Sequence, residues 1–529
     1  MAKYIFVTGG VLSSLGKGTF TSSLAKLLKS SGVNVNAMKI DPYLNCDAGT
    51  LNPYEHGEVF VTQDGFECDL DLGTYERFLD VPAKKEQNVM MGAVYSAVLE
   101  KERRGEFLGK TMQLIPHVTN EIKSRVRKAA AATGCEVLVV EIGGTVGDIE
   151  SEVVLEAARQ MKFENPDEVM FVHLALVPVI TTGEMKSKPM QHSVHTLLSR
   201  GIAPDVLVAR AEKELSKDVK EKMALFCSVP PERIFSFPNV KNIYELPLLL
   251  KEQDAQNHIA KKINLTLNGG DLTVWREISE KYKNLKTEKK VAVIGKYAVT
   301  RDAYMSVFEA LSHAGVANNV KVIANLLDSE ELEKGNITNE ALSGYDAILI
   351  PGGFGSRGVE GKIKAIQFAR ENRKPILGIC YGFQLMVIEF ARNVLGWSDA
   401  NTTEIDPYTD HPVIDLLPEQ KDVSEKGGTM RLGGSPVMIE EGSRAYRYYG
   451  KNEVIRRHRH RFEVNPKLIP ELEAAGLKFS GKDREGRRME ILELKEDRFF
   501  SGSQFHPEFD SRVERPEPLF DWLIKSALD

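Results

Sequence analysis

Residues 4–19 read YIFVTGGVLSSLGKGT, and this stretch decides the fold of the first half of the chain. Residues 4–7 have strand character, the following glycines permit a tight turn, and the apolar spacing over Thr19–Ser30 predicts an amphipathic helix. The same order recurs later, because VAVIGKY at residues 291–297 leads into the helical pattern of Asp302–Ala314. Two starts of this kind predict two α/β domains.

Further apolar runs, bounded by turn residues, follow each start at helix-length intervals. They are Val35–Ile40, Val137–Ile142, Val169–Val177 and Val206–Ala209 in the first half, and Val320–Leu326, Ala347–Pro351 and Ile376–Cys380 in the second. Continuous runs suit parallel strands that are buried on both faces. We therefore predict an α/β fold class with two doubly wound domains, each a mostly parallel sheet flanked by helices. A polar stretch separates the halves, and we place the domains at 1–266 and 291–529 with a linker at 267–290.

Composition excludes several classes of protein. The 529 residues carry 69 Lys+Arg against 75 Asp+Glu, a net charge of −6, which disfavours a nucleic-acid partner. The longest apolar run, residues 170–180, is too short to span a membrane and is interrupted by His173 and Pro178. A strand-like run directly after the N-terminus argues against a secretory signal. Five cysteines without a C-x-x-C pair argue against a zinc site and favour a reducing cytoplasm.

The turn after the first predicted strand has the features of a phosphate-binding loop. Its glycines let backbone N–H groups converge on a phosphate, the helix N-terminus adds partial positive charge, and Lys17 supplies an ammonium. It is not a strict Walker A motif, because Gly10 and Gly16 enclose five residues and Gly18 replaces the magnesium-binding Ser/Thr. A glycine turn that merely caps a helix is the alternative interpretation.

Two carboxylates are candidates for the metal ligands that Gly18 cannot supply. Asp71 lies in DLDLG at residues 69–73, and Glu141 ends a predicted strand before Gly143-Gly144. Magnesium prefers one or two carboxylates with phosphate oxygens and water, so Asp71 and Glu141 would suffice. Lys39, near another strand end, could reach the same phosphates. For each of these residues alone, a solvated surface position is the alternative.

A cationic loop, Lys186-Ser187-Lys188-Pro189-Met190-Gln191, follows the third apolar run of the first half. Two lysines and a glutamine suit a second polyanion with a hydrogen-bonded base edge, and Lys222 is a further candidate. Alone, such a run is more often a solvated charged loop.

The second half contains a nucleophile-elbow pattern. Gly378 and Gly382 frame Cys380 between a predicted strand and a helix, where the helix N-terminus would lower the pKa of a thiol. Upstream, the Pro351–Gly355 loop (PGGFG) and the amide of Tyr381 can form an oxyanion hole.

A base for this nucleophile is found near the end of the chain. In QFHPE, His506 would hold the proton of Cys380 and Glu508 would orient the imidazole. A lone cysteine or histidine is usually a packing residue. Because the elbow, the glycine loop and the His-x-Glu pair occur together, we predict a catalytic triad.

These motifs resemble known families. The second half resembles class I, triad-type glutamine amidotransferases, and the chain as a whole resembles the CTP synthase family. The blocks that carry the resemblance are GGVLSSLGKG, MKIDPYLN, EHGEVFVTQDG, DLDLGTYERF, EIGGTVGDIES, KSKPMQHSV and RHRHRFEVN. The resemblance implies a ligase of pyrimidine nucleotide biosynthesis: ATP phosphorylates O4 of UTP, ammonia from glutamine displaces that phosphate, and CTP, ADP, phosphate and glutamate result.

The resemblance also implies roles for matching positions. For ATP these are Ser14, Leu15, Gly16, Lys17, Gly18, Thr19, Lys39 and Asp71, with Mg²⁺ on Asp71 and Glu141. For UTP and inhibitory CTP they are Ser13, Asp148, Ile149, Glu150, Lys186–Gln191 and Lys222. For glutamine they are Gly352, Gly353, Tyr381, Gly382, Phe383, Gln384, Glu404 and Arg461, beside the triad. Allosteric activation by GTP, an ammonia passage walled by residues 54–58 and a homotetramer are implied as well.

Two other functions stay open from the sequence. One is a P-loop amidotransferase ligase of the cobyrinate a,c-diamide synthase type, which would not need the cationic loop with Lys222. The other is a regulatory P-loop ATPase of the partitioning kind whose second domain is a catalytically dead binding module. The intact Cys380, His506 and Glu508 argue against the second function.

Overall fold

A computed structural model describes residues 2–416, 420, 430–494 and 499–528. The chain folds into two compact units. The first comprises the residues up to Ala48 and Asp71–Glu280, and the second comprises Gly49–Leu70 and the residues from Lys281 onward. A short segment of the first half of the sequence thus belongs to the second unit, which the sequence did not predict. The division into 1–266, 267–290 and 291–529 stays a prediction.

The helices and strands are numbered in chain order. The described strands are β1 Lys3–Gly10, β2 Val35–Asp41, β3 Phe60–Val61, β4 Glu67–Cys68, β5 Asn88–Met90, β6 Val137–Ile142, β7 Val169–Leu176, β8 Val206–Ala211, β9 Ile234–Pro238, β10 Thr287–Gly295, β11 Val320–Asp328, β12 Ala347–Ile350, β13 Ile376–Ile379, β14 Asn401–Thr402, β15 Pro412–Leu416, β16 Arg431–Ile439, β17 Glu453–His460, β18 Phe462–Val464, β19 Leu477–Lys482, β20 Met489–Leu494 and β21 Phe500–Ser503. The described helices are α1 Lys17–Ser30, α2 Pro53–His56, α3 Leu70–Leu79, α4 Met91–Arg103, α5 Thr119–Thr133, α6 Glu152–Glu164, α7 Lys188–Leu198, α8 Lys217–Cys227, α9 Leu246–Glu252, α10 Ala255–Lys262, α11 Thr273–Lys283, α12 Met305–Ala317, α13 Ser329–Glu333, α14 Asn339–Ser343, α15 Val359–Glu371, α16 Tyr381–Asn393, α17 Arg444–Tyr449, α18 Ile469–Ala474 and α19 Pro518–Ser526.

The first unit is built on a parallel sheet. Its seven described strands lie in the order β5-β2-β6-β1-β7-β8-β9, and every neighbouring pair is parallel. Phe6 and Val140 pack with α4, α5 and α6 on one face, while the alternating residues Ile5 and Val139 are equally buried. Alternation places these on the opposite face, so the continuous apolar runs follow from burial on both sides.

The second unit has a mixed sheet. Within the described ranges its nine strands lie in the order β11-β10-β12-β13-β21-β20-β19-β16-β17, parallel as far as β21 and antiparallel beyond it. Ile348 and Ile350 pack in one core with α15 and α16, and Leu349 packs in another with α12 and α19. The predicted two α/β units are confirmed, and the antiparallel half is an addition.

Two further findings bear on the class of protein. In the part of the chain that the structure describes, no helix has both the length and the apolar character needed to cross a membrane. No disulfide joins the described cysteines, Cys46, Cys68, Cys135, Cys227 and Cys380, and of these five Cys46 alone is exposed.

Candidate active sites

The loop between β1 and α1 is shaped by left-handed backbone. Val11, Ser14 and Gly16 have φ angles of 80°, 57° and 87°, values that glycine adopts most easily. Helix α1 begins at Lys17, whose ammonium donates to the main-chain oxygen of Gly144 at 2.5 Å. Burial lowers the pKa of Lys17. The remaining loop positions are exposed Ser13, buried Leu15 and Gly18, and half-buried Thr19. A lysine and a helix N-terminus at a carboxyl sheet edge suit a phosphate.

The two predicted metal-binding acids lie close to this loop. A Cβ on Gly18 would be 2.0 Å from Oδ1 of Asp71, so this carboxylate lies against the first turn of α1. Its Oδ2 is 2.6 Å from Nζ of Lys39. Tyr75 donates to Oε2 of buried Glu141 at 2.5 Å. Burial, and then the charge of Asp71, raise the pKa of Glu141 to about 8.

The side chains of Asp71 and Glu141 offer oxygen donors, the kind that a magnesium ion prefers. Among the described residues no three His, Cys, Asp or Glu side chains form a metal cluster. Magnesium requires only one or two protein carboxylates when phosphate oxygens and water complete its shell. Asp71 and Glu141 are near enough to repel one another, and a cation would relieve that repulsion. The residues present therefore fit Mg²⁺ in the company of a phosphate.

The predicted cationic loop leads into α7. Lys186 is 2.7 Å from Oε2 of Glu184; this bond lowers the pKa of Glu184, and Lys222 on α8 adds to the effect. Gln191 is buried and donates to the hydroxyl of Ser187 at 3.0 Å. Lys188 is exposed, Pro189 half-buried and Met190 buried. Lys222 therefore lies close enough to the loop for its charge to lower the pKa of Glu184.

The loop after β6 carries the three residues that the resemblance assigned to CTP inhibition. The main-chain N–H of Thr145 donates to Oδ2 of Asp148 at 2.7 Å. The hydroxyl of Ser151 donates to the main-chain oxygen of Asp148 at 3.0 Å. Glu150 is exposed, as is Ile149 at 87%. The acid therefore shapes the loop, and its two neighbours face outward.

Cys380 occupies a strained turn in the second unit. It lies between β13 and α16 with φ 51° and ψ −99°, and its N–H donates to the oxygen of Ser503 at 2.7 Å. A Cβ on Gly378 would be 2.8 Å from the main chain of Gly382, and one on Gly382 would be 2.2 Å from the oxygen of Ile350. Both flanking glycines are thus required by close backbone packing, as in a nucleophile elbow.

The predicted base lies beside this thiol. Nδ1 of His506 is 2.7 Å from Oε1 of Glu508, and both residues are buried. A Cβ on Gly352 would be 2.9 Å from Cε1 of His506 and 3.8 Å from Cβ of Cys380, so the two side chains border the same glycine. Burial alone would lower the pKa of His506, but Glu508 and Cys380 outweigh it and raise it to about 10.

The glycine loop is held from two sides. The hydroxyl of Tyr381 donates to the oxygen of Gly355 at 2.7 Å, and the N–H of Gly355 donates to Oε1 of Glu404 at 2.9 Å. Tyr381 also lies 3.4 Å from where a Cβ on Gly353 would be. Glu404 therefore contacts the loop itself and does not line the space in front of Cys380.

Three further predicted glutamine-binding positions, Phe383, Gln384 and Arg461, do not line the space in front of Cys380. Gln384 donates to the oxygen of Phe462 at 2.7 Å and to Oε1 of Gln504 at 3.2 Å. Gln504 in turn lies 3.7 Å from Sγ of Cys380. Arg461 donates to Gln420 at 2.5 Å. Phe383 is buried in the core. Sequence reasoning missed Gln504, although it stands two residues before His506.

A cavity of about 210 Å³ lies in front of the thiol. Cys380, His506 and Glu508 line it, with Gly352 and Gly353 from the glycine loop. Its remaining lining includes Gly49, Thr50, Leu51, Pro53, Glu58 and Val59, from the segment that joins this unit out of sequence order. Only residues 54–58 of this segment have a role implied by resemblance, and no local sequence pattern predicts its place beside the thiol.

The comparisons with known proteins cover both units. Residues 3–265 match the family model described as CTP synthase N-terminus, and residues 299–526 match that of glutamine amidotransferase class-I. The CTP synthase of Thermococcus gammatolerans is 53% identical over 530 residues, covering 100% of this chain and 99% of that protein. Those of Geobacillus kaustophilus and Methanosarcina acetivorans are 51% and 52% identical, covering 100% and 99% of this chain and 100% and 98% of their own lengths. The glutaminase domain of a Trypanosoma brucei CTPS with bound acivicin is 39% identical over 45% of this chain and 94% of its own, with a TM-score of 0.43. With both family models matched and full-length relatives above 50% identity, the chain belongs to the CTP synthase family.

Proposed function

We propose that the two units divide the CTP synthase reaction between them: the second releases ammonia from glutamine, and the first uses it to convert UTP to CTP. The chain is a glutamine-hydrolysing ligase that converts UTP, ATP and glutamine into CTP, ADP, phosphate and glutamate. The carrying observation is that Cys380, His506, Glu508 and the Gly352-Gly353 turn line one cavity.

In the second unit, Sγ of Cys380 attacks the side-chain amide carbon of glutamine. The N–H groups of the glycine loop and of Tyr381 stabilise the oxyanion that forms. The C–N bond then breaks, ammonia leaves with a proton from His506, and a thioester remains. Water, deprotonated by His506, hydrolyses the thioester to glutamate, and Cys380 regains its proton.

The buried pair of His506 and Glu508 determines which nitrogen of the imidazole transfers these protons. Glu508 binds Nδ1 of His506, so Nε2 is the nitrogen that exchanges protons with Cys380 and the leaving ammonia. The raised pKa of His506 keeps the imidazole protonated at neutral pH. A protonated imidazole beside the thiol favours the thiolate, which is the attacking form.

In the first unit, the β1–α1 loop holds ATP, and Lys17 and Lys39 balance phosphate charge. Asp71 and Glu141 would hold Mg²⁺, which when bound neutralises charge on the transferred phosphate. Lys186, Gln191 and Lys222 bind UTP, whose O4 attacks the γ-phosphorus while ADP leaves. Ammonia then displaces the phosphate from C4 and gives CTP.

We also propose how the protein is regulated and how it assembles. CTP inhibits through Asp148, Ile149 and Glu150, and GTP activates the glutamine route near residues 54–58. The chain assembles as a homotetramer, as the resemblance to the CTP synthase family implies. The lack of a disulfide among the five described cysteines supports a cytoplasmic location.

The test is an absorbance assay of UTP conversion with ATP and magnesium. Glutamine or ammonium chloride serves as the nitrogen source, each with and without GTP. We expect CTP from both sources and GTP stimulation of the glutamine route alone. A folded chain that binds ATP but makes no CTP from either source would overturn the assignment, beginning with the lysine loop.

A further inference from the structure

The first unit contains a buried chain of hydrogen bonds between three side chains that have no role in the proposed function. Thr8 on β1 lies 2.8 Å, Oγ1 to Nδ1, from His173 on β7, and Nε2 of His173 lies 2.7 Å from Oγ of Ser193 on α7. His173 is fully buried, and Thr8 and Ser193 are 1% and 6% exposed. Polar groups so buried cost free energy unless they are paired. These three side chains therefore hold one another in place.

The bond that Thr8 makes to the main chain sets the direction of the hydrogen bonds. The hydroxyl of Thr8 donates to the oxygen of Val172 at 3.3 Å, so its own oxygen accepts the N–H at Nδ1 of His173. A neutral imidazole has only one N–H, which leaves Nε2 to accept the proton of Ser193. Burial, assisted by the charge of Lys17, lowers the pKa of His173 to about 3. The relay thus stays neutral and fully paired at physiological pH.

The relay joins the two proposed nucleotide sites. A Cβ on Gly10 would be 1.5 Å from Oγ of Ser193, so the last residue of β1 lies directly against that hydroxyl. Gly10 opens the loop proposed for ATP. Ser193 is on α7, within one turn of Gln191 in the sequence proposed for UTP, and Ser187 is the residue just before that helix. The same bonds therefore fix the start of one loop against the helix of the other.

We propose that His173 is a positioning residue that sets the phosphate loop and α7 in the one arrangement in which O4 of UTP faces the γ-phosphate of ATP. The inference rests on the proposed function. His173 itself touches no substrate. Its importance follows from the steep distance dependence of group transfer, in which a displacement of about 1 Å costs roughly 100-fold in rate.

The test compares Ser193→Ala, His173→Leu and His173→Gln in the full-length protein. We expect Ser193→Ala to raise KM for UTP about 5- to 10-fold and to lower kcat for ammonia-dependent CTP formation, because α7 loses the hydrogen bond that positions Gln191 against the phosphate loop. His173→Leu should lower kcat further, by roughly 10- to 100-fold. His173→Gln, which can still donate and accept, should recover part of it. Glutamine hydrolysis should be unchanged in all three.

A matched control separates positioning from stability. Gln87 donates to Oδ1 of Asn36 at 2.8 Å, a buried bond at the amino end of β2 that involves neither loop. Gln87→Leu should lower Tm without changing UTP kinetics. Unchanged kcat and KM in folded Ser193→Ala, or an equal loss in Gln87→Leu, would overturn the inference. If the wild-type chain made no CTP, the proposed function would be overturned instead. Calorimetric measurement of UTP binding to the wild-type protein and to Ser193→Ala would then still test whether the hydrogen-bond chain positions the UTP loop.

Discussion

Nε of Arg459 lies 2.7 Å from Oε1 of Glu67, an ion pair between side chains almost 400 residues apart in the sequence. The main-chain oxygen of Arg459 is also 3.6 Å from Sγ of Cys380. Two residues earlier on the same strand, β17, Arg457 donates to the main-chain oxygen of Val61 at 3.0 Å. Strand β17 thus uses its side chains to bind the 49–70 segment and its backbone to contact the nucleophile.

Replacing the acid of this pair should impair the glutaminase. Glu67→Gln leaves the partly buried guanidinium of Arg459 without its ion pair, and we expect a loss of stability on the order of 3 kcal/mol. Because the Arg459 carbonyl contacts Cys380, glutamine hydrolysis should fall roughly tenfold or more while ammonia-dependent CTP formation persists. Urea unfolding and the two activity assays measure these effects.

The control for this variant is an exposed pair in the same unit. Glu288 is 2.7 Å from Lys321, and both side chains are about half exposed. Glu288→Gln should change stability by less than about 1 kcal/mol. Equal behaviour of the two variants would show that the buried pair has no special role.

A single methyl group at the start of α1 should damage the proposed magnesium site. A Cβ on Gly18 would be 2.0 Å from Oδ1 of Asp71, so Gly18→Ala must displace that carboxylate. We expect a higher magnesium requirement for CTP formation from either nitrogen source, by roughly 10-fold or more. Magnesium titrations of the ammonia-dependent rate measure this. Gly344→Ala is the control, since nothing lies closer than 3.5 Å there and its φ is −72°; a normal requirement in Gly18→Ala would contradict the assignment.

Much of the fold could be predicted because its signals are local. Continuous apolar runs such as Val137–Ile142 reflect burial on both faces of a sheet, and the glycines around Cys380 reflect the shape of its turn. The 49–70 segment could not be found in this way. Its strands β3 and β4 have two residues each, too few for any periodicity, and its partners lie hundreds of residues downstream. The contact of the Arg459 carbonyl with Cys380 is made by backbone, on which sequence carries no signal.

The free energy of unfolding should depend on pH through the titration of the His506 imidazole. Its pKa is raised to about 10 in the folded protein and is near 6.5 in an unfolded chain. The folded state therefore holds this proton more tightly, so the stabilisation is complete below pH 6.5 and is lost as the pH rises towards 10. Urea midpoints between pH 6 and 10 should fall along this range, and less steeply in Glu508→Gln. An identical slope in both proteins would contradict the pairing.

Lys17→Ala should impair CTP formation but not glutamine hydrolysis. The ammonium at the start of α1 is proposed to balance phosphate charge, so its loss should abolish CTP formation from glutamine and from ammonia alike. Glutamine hydrolysis depends on the other unit and should persist. If this variant still made CTP from ammonia at the wild-type rate, the phosphate-loop assignment would be wrong.

The division of labour between the units is tested most directly by Cys380→Ala. CTP formation should be followed in one assay with glutamine and in a second with ammonium chloride, beside the wild-type protein. We expect no CTP from glutamine and a wild-type rate from ammonia, because the variant removes only the atom that attacks the glutamine amide. Loss of both activities in a folded Cys380→Ala protein, or continued synthesis from glutamine, would contradict the account.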